Sequence, residues 1–154
     1  MEAVAIRGRR PAAVAFVLLL VLLVQGVRAV GANAETERRD TMLSLTNDDR
    51  AAHDRDALVL NARLSRYAKR HSHAMAQTGY LFHTANLAAK LDGLDWSIGG
   101  ENVGVGSSLD GLEDAFMHSK PHRKNILRTS FDHSAVGVYH DDNGNYWVTV
   151  IFYG

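Results

Sequence analysis

The sharpest patterning of apolar and polar positions lies at the C-terminal end, in "SAVGVYHDDNGNYWVTVIFYG". Two β-rich runs flank Asn143-Gly144, a pair suited to a tight hairpin turn that needs positive φ. Alternation along the second run sends Trp147, Ile151 and Tyr153 to one face and Tyr146, Val148, Val150 and Phe152 to the other. Both faces are largely apolar, so the sheet is expected to be covered on both sides.

Upstream the period becomes helical. In "NARLSRYAKRHSHAMAQTGY", Leu64, Tyr67, Ala68, His71, Ala74 and Met75 recur at spacings of three and four, while Arg66, Arg70, His73 and Gln77 take the opposite side. Asn61 suits the N-cap and Gly79 the end of this helix. A first helix is expected over Asp40 to His53, a short one in "TANLAAKLDG", and another in "SSLDGLEDAFMHS" that stops ahead of Pro121. Helices before and between the strands give an α+β class, a three-layer α-β-α sandwich around a small, mainly antiparallel sheet.

The first 34 residues carry a different signal. Arg7, Arg9 and Arg10 precede thirteen consecutive apolar residues, Ala12 to Val24, and Ala32-Asn33-Ala34 fits a small-residue cleavage site. This is the pattern of a secretory signal peptide at 1–34, leaving a domain over 35–154; an uncleaved anchor is the weaker alternative. The apolar run is shorter than the roughly 20 residues a membrane-spanning helix needs, so no transmembrane segment is expected in the mature chain.

Composition then removes whole classes of chemistry. The chain has no cysteine, which excludes a disulfide framework, a lipobox and a thiol nucleophile. Residues 35–154 keep 13 of the 17 Lys and Arg but 16 of the 17 Asp and Glu, an acidic excess that argues against nucleic acid as partner. The glycine-rich "GGENVGVGS" lacks the final glycine of a dinucleotide fingerprint, which would fall at Leu109, and the Gly-Lys-Ser/Thr of a phosphate loop. It also fails as a nucleophile elbow, because Gly106-Ser107-Ser108-Leu109 runs into Asp110. What survives is Glu101, a carboxylate left uncrowded by its neighbours.

Histidine supply decides what that carboxylate meets. His71 lies on the apolar face of the long helix and reads as a core histidine satisfied by one hydrogen bond. His73 is on the solvated face. Pro121 interrupts the spacing of His118 and His122, which disfavours a helical two-histidine metal site. His133 and His140 fall on opposite faces of a regular strand. His83 in "GYLFHT" and His122 in "SKPHRKNIL" stand at element ends, where clefts form.

Taken in order, "RLSRYAKRHSHAMAQTGYLFHT", "GGENVGVG", "FMHSKPHRKNIL", "HSAVGV" and "YWVTVIFYG" resemble the bacterial branch of the CAP superfamily, the SCP-like extracellular domains, from about Met42 to Gly154. The resemblance implies an α-β-α sandwich and a central cleft that in many members presents two histidines and two glutamates, some binding zinc. His83, Glu101 and His122 match three of these positions. The second glutamate has no counterpart, since Ser119 or His118 takes its place. Asn102 and Ser119 are expected to line the cleft. The three matching residues suit weak zinc or other divalent-metal binding, with Glu101 the general base only if the protein is an enzyme. Three functions follow: an extracellular or cell-envelope binding module, favoured here; a metal-dependent hydrolase or protease; or a lipid- or sterol-binding domain. A metal-free hydrogen-bonded network of the three residues is the structural alternative.

Overall fold

The computed structural model describes residues 12–154, with side chains from residue 31 onward. The basic stretch containing Arg7, Arg9 and Arg10 lies outside the described residues. The chain separates into two units, 1–34 and 35–154, and the layered architecture belongs to the second. Among the described residues no helix is long and apolar enough to cross a membrane.

Helix α1 spans Ala12–Ala52, starting far upstream of the Asp40 expected from periodicity. No proline interrupts it after position 12, and its alanine and leucine content favours continuation. Strand β1, Val59–Leu60, follows. Helix α2, Ala62–Thr78, has the expected boundaries: Asn61 Oδ1 accepts from the Leu64 N–H at 2.9 Å, and Gly79 closes the helix with φ of 72°. Helix α3 is the single turn Ala88–Leu91. Strand β2 is Gly99–Gly106, helix α4 Leu109–His118 and helix α5 Lys120–Ile126. Strands β3, His133–His140, and β4, Tyr146–Tyr153, complete the domain.

The sheet order is β1-β3-β4-β2, antiparallel except for β1 beside β3. One face carries Val136, Val138, Val148, Val150 and Phe152 against Met42 of α1, Leu112 and Phe116 of α4 and Ile126 of α5. The other carries Ala135, Ile151 and Tyr153 against Leu64 and Ala68 of α2, with Met75, Val103 and Trp147 alongside. The three-layer α-β-α sandwich expected from the hairpin's two apolar faces is therefore present. Helix α2 lies so close to the sheet that a Cβ on Gly137 would come within 2.1 Å of the Ala68 carbonyl carbon.

Two local expectations are corrected. The β3–β4 connection is a five-residue loop, 141–145, and only Gly144 of the Asn-Gly pair has positive φ, at 84°. Asp141 organises the loop: its carboxylate accepts from the backbone N–H of Asn143 and Asn145 and from Trp147 Nε1 at 2.8 Å. The glycine-rich segment is a strand rather than a loop, and its neighbours explain the composition. Residues 100, 102, 104 and 106 face α4 and α5, where a Cβ on Gly104 would approach the Phe116 ring to 2.9 Å and one on Gly100 would meet Asn125 Oδ1 at 2.8 Å.

A buried arginine fastens the α1 end to this layer. Arg50 is 1% exposed and donates to the carbonyls of Asp56, Ile126, Arg128 and Phe131 at 2.6 to 3.0 Å. Four acceptors satisfy a charge that has no carboxylate partner among the described residues, and they tie the C-terminal end of α5 to α1.

Candidate functional site

The site lies at the open edge of the sheet, where β2 is the last strand. Alternation turns Glu101 and Val103 of β2 toward the α2 layer, so Glu101 sits diagonally beside Thr149, which pairs with Val103. The left-handed turn at Gly79 releases the chain from α2 into an exposed segment, Tyr80-Leu81-Phe82, and returns His83 and Thr84 over Glu101.

Glu101 is buried and hydrogen-bonded through both carboxylate oxygens. Its Oε2 accepts from the Thr84 N–H at 2.9 Å and lies 2.8 Å from His83 Nδ1, while Oε1 accepts from the Thr84 hydroxyl at 2.6 Å. Tyr67 and Thr84 share a further hydroxyl contact at 3.0 Å. The Glu101 side chain is 5% exposed, whereas that of His83 is 61% exposed. A carboxylate held in this way fixes the imidazole: with Nδ1 protonated toward Glu101, the His83 Nε2 lone pair is presented outward.

His122 approaches from the opposite layer, in the first turn of α5, with its ring 5.0 Å from that of Phe116. Burial holds its pKa below the ordinary histidine value, and His83 is near enough that a charge there adds to the effect. His71 lies beneath the cleft. It is buried, as its place on the apolar helix face predicts, with Nδ1 3.2 Å from the Thr149 hydroxyl and its ring 5.0 Å from Phe82. Burial lowers its pKa, the Glu101 charge opposing that shift and His83 reinforcing it.

Asn102, expected to line the cleft, is instead wholly buried on the other face of β2. Its Nδ2 donates to the His122 carbonyl at 3.1 Å and its Oδ1 accepts from Asn125 Nδ2 at 2.9 Å, so it fixes α5 against the strand. Ser119 is the junction of α4 and α5 and makes no side-chain capping bond. His118 turns outward to the Asp114 carbonyl at 2.8 Å. The partners that the sequence reading missed are Thr84 and Asn125; neither stands in an apolar period, and only adjacency to His83 hinted at the first.

Among the described residues no three His, Asp or Glu side chains are placed to hold a metal ion. Both Glu101 oxygens are engaged, by His83 and Thr84, so the carboxylate backs the His83 imidazole.

Comparison with known proteins places the chain among relatives. The pattern of the family described as CAP, cysteine-rich secretory protein family, matches residues 43–152. The protein YkwD of Bacillus subtilis (strain 168) is 29% identical over 113 residues, covering 69% of this chain and 43% of the relative. An extracellular SCP-domain protein from Bacillus anthracis str. Ames superposes with a TM-score of 0.65 at 26% identity, over 77% of this chain and 41% of that one. An outer surface protein from Borrelia burgdorferi superposes with a TM-score of 0.67 at 16% identity, over 76% and 92%. The chain thus spans about two fifths of the length of the two Bacillus proteins.

Proposed function

Because the chain belongs to the CAP, or cysteine-rich secretory protein, family, we propose that it acts outside the cytoplasm as a binding module whose ligand sits in the cleft of His83, Glu101 and His122. The observation that carries this reading is the engagement of Glu101: a carboxylate accepting from His83, the Thr84 amide and the Thr84 hydroxyl, on a side chain only 5% exposed, is held as a positioning group and screened from an attacking water. The exposed imidazole it supports is a contact for a polar ligand or a weakly held divalent metal. His83 Nε2 and His122 would be the protein donors to that metal, which polarises what it binds. The extracellular placement rests on the leader-like segment 1–34 and on the Bacillus anthracis relative.

The test is an assay of the purified protein against a peptide library with added zinc. No metal-dependent cleavage is expected; turnover abolished both by chelation and by Glu101→Gln would overturn the reading in favour of a hydrolase. One observation favours a second reading, lipid binding: Tyr80, Leu81 and Phe82 are 76%, 46% and 41% exposed immediately before His83. Saturable lipid uptake that survives chelation and is lost in Leu81→Ser/Phe82→Ser would establish it.

A further inference from the structure

Helix α2 presents to solvent a face that the cleft does not use. Its 17 residues include Arg63, Arg66, Lys69 and Arg70 and no acid, in a domain where acids outnumber bases. Arg63, Arg66 and Arg70 follow one another at spacings of three and four, on one exposed stripe. Among the described residues none of the three has a carboxylate within ion-pairing distance; only Lys69 is paired, with Glu35. A solvated helix face in an acidic domain ordinarily interleaves both signs, and this one does not.

The stripe is bordered by concave surface on both sides. One groove of about 420 Å³ is lined by Glu35, Arg66, Lys69, Arg70, His73 and Tyr139. Its aromatic part is the His73–Tyr139 pair, with ring centroids 4.4 Å apart and planes inclined by 37°. A second groove of about 320 Å³ includes Arg63, Tyr67, Arg70, Lys90 and one acid, Asp92, with the Lys90 ammonium 4.9 Å from the Tyr67 ring centre. Arg70 borders both grooves, and the arginine stripe with its two flanking grooves makes up one basic track.

We propose that this track binds an anionic polysaccharide, independently of the His83 cleft. Guanidinium groups pair bidentately with carboxylate, sulfate or phosphate substituents, and the partly exposed aromatic faces accept the C–H surface of a sugar ring. Repetition of the polymer lets Arg63, Arg66 and Arg70 act together, so avidity exceeds that of any one contact. A sugar chain also suits the setting better than a nucleic acid, since its ring C–H faces can lie on Tyr139 and His73 while its charged substituents reach the arginines.

Fluorescence anisotropy of the full chain with labelled dextran sulfate tests the proposal, with neutral dextran, inorganic polyphosphate and an oligothymidine as comparators. Dextran sulfate is expected to bind at low salt and weaken as salt rises, with neutral dextran inert. The triple variant Arg63→Ala/Arg66→Ala/Arg70→Ala should lose about tenfold or more in affinity, and Tyr139→Leu should weaken dextran sulfate while sparing polyphosphate. Lys120→Ala/Arg123→Ala/Lys124→Ala on α5 removes the same charge elsewhere and should leave binding unchanged. All the replaced arginines and lysines are at least partly exposed, so thermal melts of both triple variants should match that of the wild type. Equal loss in the α5 variant would reduce the effect to net charge and overturn the proposal, as would oligothymidine or polyphosphate binding as tightly as dextran sulfate.

Discussion

His83 and Glu101 stand out in the sequence because neither fits a core or surface period, and the structure puts them 2.8 Å apart. Their division of labour was not legible: the Thr84 bonds that commit Glu101 depend on how one loop folds back over β2. Glu113 was missed altogether, since an acid in an amphipathic helix reads as solvated. It is 3% exposed, at the contact between α4 and α1, with the Thr46 hydroxyl as its neighbour on α1. Burial pushes its pKa up to about 7, the Thr46 hydroxyl on α1 opposing the shift and the Asp49 carboxylate adding to it. The folded state therefore holds a proton that the unfolded chain releases from about pH 4.5. Stability from this group is full below that pH and is lost as pH rises to about 7, a decline on the order of 3 kcal/mol. Urea melts across that range should show Glu113→Gln lacking this part of the slope and gaining on the wild type toward pH 8; parallel curves would mean that the carboxyl is solvated.

Elements with a strong period were read well, and α2 was placed to the residue because both of its caps are local chemistry, Asn61 and Gly79. Strand β2 was not, because glycine suppressed the apolar signal on which strand reading depends. Its own period was present nonetheless: Gly100, Asn102, Gly104 and Gly106 alternate with Glu101, Val103 and Val105, the small residues marking the face on which α4 and α5 rest. The hairpin's faces were legible from alternation, but its loop length was not, since it is set by the Asp141 carboxylate. Trp147 links the two, being 8% exposed, packed beside Met75 and Val103 and bonded to Asp141. Trp147→Ala is expected to cost about 3–5 kcal/mol in denaturant melts, whereas a loss below about one would mean that the strand face is not packed by α2.

The sandwich follows from a hairpin with two apolar faces, and β2 is its open edge, with Glu101 turned toward the α2 layer and His122 carried by α5. Export is argued from the leader pattern at 1–34, and cleavage near Ala34 predicts an intact mass beginning close to Glu35 in protein recovered from culture medium. Full-length chain confined to the membrane fraction would favour a retained anchor. The central claim is that Glu101 acts through His83 in a binding cleft rather than as a metal ligand or catalytic base. Calorimetric titration of zinc into the wild type beside His83→Ala, His122→Ala and Glu101→Gln tests it most directly. Weak binding should vanish in both histidine variants and fall by about 10- to 100-fold in Glu101→Gln, the effect of losing a supporting carboxylate; equal uptake by all four proteins, or abolition in Glu101→Gln as complete as in His83→Ala, would contradict it.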